Sequence, residues 1–247
     1  MANILKKLKL VEISSLLLHE EHEKKRLQKM EQKIISDNYF MNPILIKVIN
    51  FEKNLVLDGA HRVQALRNLN IKYIPVQVLE TKEIQINTWC HLTEGNDWFY
   101  KNVLYNSDYE VSEKPLRKSL ICNIYTDTKI FHIYCNNAYF LNSWKKLVSL
   151  FNEGHVVRLP NLDNLSLKDG EIVVEYPELS CAEIENIVLQ EQTLPSGISR
   201  VQPCERILNL KVPLELLRNH EDDKWVNFLD DIKYRLRYYS EPVYILD

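Results

Sequence analysis

The stretch from Asn54 to Glu80, NLVLDGAHRVQALRNLNIKYIPVQVLE, constrains this chain more than any other part of it. An apolar run stops at Asp58-Gly59, a helix-like segment opens at once with His61 and Arg62, and a second apolar run follows Pro75. Val63, Leu66 and Leu69 form one stripe at the helical period. A strand that turns on a glycine into a helix N-terminus aims free backbone N–H groups at one spot, where the helix dipole adds partial positive charge. Arg62 and His61 supply further donors. Such a corner can hold a phosphate. The same spacing also fits an ordinary strand–helix turn with a solvated arginine.

Glycine scarcity sharpens the point. The chain carries 5 glycines in 247 residues, well under the usual ~7%, so a lone glycine between strand and helix answers a backbone need: positive φ or the close approach of a ligand. Five dispersed glycines also cannot build a Walker or Rossmann glycine-rich loop.

At 247 residues the chain has room for one large or two modest domains, each with a real core. A net charge of −3 gives no global drive toward nucleic acid. The five cysteines (Cys90, Cys122, Cys135, Cys181, Cys204) are odd in number and lack CxxC pairing, the pattern of reduced thiols in a cytoplasm. Neither an apolar signal region nor a run of the ~20 apolar residues that a membrane span needs is present, so a cytoplasmic location without membrane contact is expected.

Along the chain, Leu8, Leu10 and Ile13 predict a short first strand. The charged run from Glu20 to Lys33 predicts a helix with Leu27, Met30, Ile34 and Ile35 on one face. PILIKVI and LVLDG predict strands joined by a turn at Asn50–Asn54, and YIPVQVLE a strand that Pro75 places at an edge or at its first hydrogen-bonding position. Further on, SLICNIY and KIFHIYC read as paired strands, AYFLNSWKKLVSLF as a helix, EIVVEY as a strand, and residues 182–190 as a short helix. RILNLKVPLELL mixes strand and turn, residues 222–237 look helical, and EPVYILD closes as a strand. Composition places a domain boundary near residues 105–117.

With that layout, LDGAHRVQAL and IPVQV resemble the nucleotide-site signature of the ParB/sulfiredoxin superfamily, and within it the free L-serine kinases, among them one that serves siderophore synthesis. Supporting segments are LHE at Leu18–Glu20, NTW at Asn87–Trp89, PSGISR at Pro195–Arg200, and LNLKVPLELL. Sulfiredoxins carry a cysteine nucleophile where Ala60 stands, so sulfinic acid repair is not expected. Partition-type CTP switches usually read GERR where this chain has Gly59-Ala60-His61-Arg62.

The resemblance implies an α/β (α+β) fold: a ParB/sulfiredoxin-like nucleotide-binding domain over residues 1–105 and a C-terminal α/β lobe over 106–247 that completes the serine site. It implies phosphoryl transfer from ATP or ADP, with Mg²⁺, to the hydroxyl of free L-serine, and a product suited to siderophore precursor synthesis by way of 2,3-diaminopropionate. Glu20 would take the hydroxyl proton; its bland account is an acidic first turn of a helix, and Glu21 and Glu23 compete for the role. Asp58 would orient the hydroxyl or hold Mg²⁺ through water; otherwise it caps the helix. Gly59, Ala60, His61 and Arg62 would grip phosphates. Thr88 and Trp89 would line the amino-acid pocket, and Arg200 would clamp a carboxylate or phosphate; the bland accounts are core for Trp89 and surface for Arg200. No histidines show metal-ligand spacing, so no protein-held metal is expected. The resemblance also leaves room for DNA or haem as regulators and for a homodimer. The rival function is a nucleotide-gated, ParB-like DNA-binding transcriptional regulator.

Overall fold

Short alternating apolar segments in the first third of the chain supply one sheet, and the order of its strands builds the glycine corner. The computed structural model describes residues 2–22, 24–95, 97–135, 140–151, 156–163, 165–219 and 221–239. The chain divides into two compact units that are interleaved along the sequence. The first takes in the described residues of Met1–Leu17, Glu23–Glu83 and Pro203–Asp247; the second takes in those of Leu18–His22 and Ile84–Gln202. The units therefore change at 17/18, 22/23, 83/84 and 202/203, and the stretch 105–117 lies within the second.

In the first unit the strands are β1 (Leu8–Glu12), β2 (Leu16–Leu18, whose last residue belongs to the second unit), β3 (Tyr39–Phe40), β4 (Ile44–Val48), β5 (Asn54–Asp58) and β6 (Tyr73–Val78). Five of them form a sheet in the order β1-β6-β4-β5-β2. β6 runs antiparallel to β1 and parallel to β4, while β4 and β5 form an antiparallel hairpin. Its turn is fixed by Asn50 Oδ1, which accepts the N–H groups of Glu52 and Lys53 at 2.9 Å. Helices α1 (Ala2–Leu5), α2 (Lys24–Asp37) and α3 (Ala60–Asn68) belong to the same unit, with α2 packed on α3. Ile44, Val56, Val63, Leu66, Ile74 and Val76 form its core, all fully buried; each such side chain contributes about 1.5–3 kcal/mol. β3 pairs with Val212–Pro213, which lead into the helix Leu214–Arg218; a further helix spans Asp222–Lys233.

Three expectations need correction. The first long helix begins at Lys24, so Glu20 is not in its first turn and a dipole role for it falls away. Ile35 is 60% exposed: the buried face of α2 runs through Leu27 and Ile34, and Ile35 follows the latter directly around the helix. Of the two places expected for Pro75, the edge is excluded, since β6 has a partner on each side, and the start of a ladder stands. What permits it is local. The β4–β6 ladder begins only at Ile44↔Val76, and further along Leu79 N–H donates to Ile46 O at 2.8 Å. By the two-residue period Pro75 falls on that same side, where its missing N–H would have met Asn42 O; that carbonyl instead accepts Arg62 Nη1–H at 2.8 Å.

The second unit contains β7 (Ile84–Thr88), β8 (Cys90–Glu94), β9 (Tyr109–Ser112), β10 (Leu120–Tyr125), β11 (Ile130–Cys135), β12 (Val157–Leu159), β13 (Glu171–Glu175) and β14 (Ser199–Pro203). Six form an antiparallel sheet in the order β12-β8-β13-β10-β11-β9, and β14 pairs with β7. The helices are α4 (Asp97–Val103), α5 (Phe140–Phe151) and α6 (Cys181–Leu189). Trp144 of α5 is buried; its indole N–H donates to Ile121 O at 2.7 Å, and its ring meets Tyr176 edge-on at 5.8 Å. A reciprocal Ser180–Glu183 capping box starts α6. The hairpin of SLICNIY with KIFHIYC, the helix in AYFLNSWKKLVSLF and the strand in EIVVEY are all present. The closing strand expected over 241–247 lies outside the described residues. No helix among the described residues is long and apolar enough to cross a membrane.

Candidate active site

The corner after β5 has the backbone the sequence called for. Gly59 caps α3 with φ +109° and ψ 25°, a region that disfavours any side chain. A Cβ there would stand 2.5 Å from Ile44 Cδ1 and 2.9 Å from Arg62 Nη2. The first helical bond runs from Val63 N–H to Gly59 O at 2.9 Å. The N–H groups of Ala60, His61 and Arg62 therefore precede the helical ladder and point out of the helix end.

Arg62 is bound more tightly than its sequence position suggests. Its Nη1 donates to Asn42 O at 2.8 Å and Pro43 O at 3.0 Å, and its Nη2 to Asp58 Oδ2 at 3.1 Å. Burial pushes the guanidinium below its ordinary pKa; Asp58 opposes that shift, and Arg206 and Arg26 add to it. It keeps its proton all the same. Arg206 brings a second guanidinium to Asp58 Oδ2, also at 3.1 Å. One carboxylate thus faces two arginines, which leaves the corner positive.

In the second unit Glu20 is joined to the segment after Leu194. Residues 19–21 run alongside Leu194, with Leu194 N–H donating to His19 O at 2.7 Å and Glu21 N–H to Leu194 O at 2.9 Å. That pairing carries the Glu20 carboxylate into a turn of donors. Oε2 accepts Gly197 N–H at 3.1 Å; Oε1 accepts both the N–H and the Oγ–H of Ser199, each at 2.6 Å. Since Ser199 has only one hydroxyl proton and gives it to Glu20, the 2.7 Å contact with His19 Nε2 has the imidazole as donor. Gly197 makes the turn possible with φ +79°.

Beneath this turn, His91 is buried with Nε2 2.9 Å from Gly197 O and Nδ1 3.2 Å from the Tyr176 hydroxyl. Burial lowers its pKa, so it is neutral near pH 7, donating through Nε2 and accepting the tyrosine proton at Nδ1. Trp89 is half-buried, and the Arg200 guanidinium lies over its ring at 5.1 Å while donating to Pro160 O at 3.2 Å. Thr88 Oγ donates to Tyr176 O at 2.8 Å.

Chemically, one unit offers a cationic corner of backbone N–H groups, and the other a carboxylate already accepting an alcohol proton. Over an alignment of 256 residues that takes in all of both chains, the protein is 30% identical to the ATP-dependent L-serine kinase SbnI of Staphylococcus aureus. The chain belongs to this serine-kinase family. A structure of SbnI with a C-terminal truncation, from the same organism, superposes with a TM-score of 0.87 at 28% identity, covering 95% of this chain and 100% of that one. A free serine kinase in complex with AMP matches with a TM-score of 0.68 over 85% of this chain and 93% of its own; at 19% identity this likeness speaks for the fold alone. No protein-family model matches the chain, so the wider ParB/sulfiredoxin likeness rests on the loop residues.

For a serine-kinase family member, the residues singled out from sequence fall into two groups. Asp58, Gly59, Ala60, His61 and Arg62 are together in the first unit, and Glu20, Thr88, Trp89 and Arg200 in the second. Glu21 pairs with Lys145 at 2.7 Å, which ties it to a different neighbour from Glu20; Glu23 lies outside the described residues. Sequence reasoning missed Ser199 as the partner of Glu20, although it stands inside the PSGISR segment, and it missed Arg206 altogether. Nothing in PCERIL marks that arginine: its link to Asp58 spans 148 positions of sequence (206 − 58).

Proposed function

We propose that this protein phosphorylates free L-serine, transferring a phosphoryl group from ATP or ADP to the serine hydroxyl and yielding O-phospho-L-serine. The observation that carries the reading is Glu20: in a chain alike along its whole length to a serine kinase, its Oε1 accepts an alcohol proton at 2.6 Å from Ser199. A substrate serine hydroxyl needs the same acceptor. Glu20 takes that proton as Oγ attacks phosphorus, the O–P bond to the nucleotide breaks, and the shortened nucleotide leaves with the electron pair.

The N–H groups of Ala60, His61 and Arg62 at the Gly59 turn, with the Arg62 side chain behind them, hold phosphate oxygens; Thr88, Trp89 and Arg200 hold the amino acid. A free serine kinase variant solved in complex with ADP accords with a nucleotide role for this fold. Mg²⁺ fits as a companion of the phosphates: no group of three or more His, Cys, Asp or Glu that could hold a metal ion exists among the described residues, and Mg²⁺ commonly takes one or two carboxylates plus substrate phosphates. Asp58 is the carboxylate at the corner, with Oδ2 held by the two arginines and Oδ1 facing no bonded partner among the described residues. When bound, Mg²⁺ would neutralise charge developing on the phosphoryl oxygens. The product carries a phosphate on its β-carbon, a leaving group suited to an enzyme that installs nitrogen there, as 2,3-diaminopropionate synthesis for a siderophore requires.

Phosphorus NMR of the protein with Mg²⁺, nucleotide and L-serine tests this. Phosphoserine should appear, and Glu20→Gln, which retains shape but takes up no proton, should lower turnover at least about a hundredfold with nucleotide affinity kept. No phosphoserine with any nucleotide, together with salt-sensitive DNA binding, would hand the site to the regulator reading.

A further inference from the structure

Arg62, the arginine the loop sequence advertises, has its two Nη atoms turned to Asn42 O, Pro43 O and Asp58. Arg206 has a different standing. Its bonded partner among the described residues is Asp58 Oδ2, met by Nη2, and its side chain is 36% exposed, so the guanidinium keeps N–H donors for a ligand. It reaches the same carboxylate that precedes Gly59, so it stands at the N-terminus of α3 beside the outward N–H groups.

The backbone around Arg206 is clamped. Gln77 of β6 is fully buried, and its side-chain amide copies a strand partner: Nε2 donates to Glu205 O at 2.9 Å and Oε1 accepts Ile207 N–H at 2.9 Å. These two bonds bracket Arg206. Cys204 N–H donates to Glu83 O at 3.0 Å, Lys7 pairs with Glu205 at 3.7 Å, and Asn209 N–H donates to Asn42 Oδ1 at 2.8 Å. A buried amide with both ends satisfied in this way fixes a segment that has no secondary structure of its own.

We propose that Arg206 contacts the phosphates of the bound nucleotide, and that Gln77 is the positioning residue that aims it. The inference rests on the reading of the Gly59 corner as the phosphate-holding part of a serine kinase. Arg62 then shapes the corner from behind, while Arg206 supplies the charge-assisted donors, with a planar fork suited to two phosphate oxygens at once.

The test compares ADP with adenosine, each titrated calorimetrically against the intact protein. Arg206→Ala should weaken ADP roughly 10- to 100-fold and leave adenosine unchanged, with Arg206→Lys recovering part of the loss. Gln77→Met should weaken ADP in the same selective manner, yet add nothing further in the Arg206→Ala background. If Gln77→Met does not fold, Gln77→Glu, which keeps the acceptor for Ile207 N–H, takes its place. Equal ADP affinity in wild type and Arg206→Ala would overturn the role of Arg206, and independent losses in the double variant would overturn that of Gln77. A wild type that binds ADP no better than adenosine would instead overturn the corner itself, a separate outcome from either of these.

Discussion

Replacing Gly59 by alanine isolates what the corner demands of its backbone. Two penalties combine. A side chain at φ +109° is strained by ~1–3 kcal/mol. The new methyl would also lie 2.5 Å from Ile44 Cδ1 and 2.9 Å from Arg62 Nη2, and overfilling such a site costs ~1–3 kcal/mol more. Ile44 is fully buried and has nowhere to retreat. The sum is about 2–6 kcal/mol; with a urea m-value of about 3 kcal/mol/M, the unfolding midpoint should fall by roughly 0.7–2 M.

Gly170 is the built-in control. It also has positive φ, +80°, but a Cβ there meets no atom within 4 Å. Gly170→Ala therefore feels the backbone term alone, about 1 kcal/mol. Urea unfolding followed by circular dichroism measures both variants. If Gly59→Ala and Gly170→Ala agree to within about 0.5 kcal/mol, the close approach of Ile44 and Arg62 plays no part and the reasoning fails. Adenosine diphosphate affinity should drop in Gly59→Ala as well, since any shift of Arg62 and Ile44 rotates the N–H groups of the first turn.

Ser199→Ala removes the hydroxyl between Glu20 and His19 and should destabilise the protein by ~1–3 kcal/mol, with Ser199→Thr recovering most of it; wild-type stability in the alanine variant would count against the network. His91 sets a pH dependence. Its folded pKa is lowered from 6.5 by burial, so the unfolded chain binds the proton more readily. Its contribution is complete above about pH 6.5 and declines as pH falls from there toward the folded value. The urea midpoint should drop on acidification through that window, and His91→Gln should flatten the drop; an identical slope in the variant would refute the assignment.

Much of the fold was legible because its signals are local. The β4–β5 hairpin, α3, the paired β10 and β11, and α5 each follow from periodicity and turn residues that lie within a few positions of one another. The misreadings came from competition at a distance. Glu20 sits in a charged run that would extend a helix, but residues 19–21 pair with Leu194 instead, and backbone pairing outweighs a weak helical preference there. For Pro75 an edge and a first hydrogen-bonding position were both expected, and only the edge failed: Arg62 satisfies the carbonyl that Pro75 leaves over at the start of the β4–β6 ladder. The interleaving of the two units was illegible for a related reason: composition does not register a chain that crosses from one unit to the other and returns at residue 203.

By itself the sequence determined the strand–glycine–helix corner, since a positive-φ cap between an apolar strand and an amphipathic helix is written in neighbouring residues. Its motifs were also enough to point to the serine kinases. Tertiary structure alone decided which side chains serve that corner and the Glu20 carboxylate. Arg62 turns to backbone carbonyls, Arg206 arrives through the Gln77 clamp, and Ser199 meets Glu20 across 179 positions of sequence. A hydrogen bond depends on distance and direction in space, and residue types along a chain carry no record of which distant donor will be brought within three ångströms.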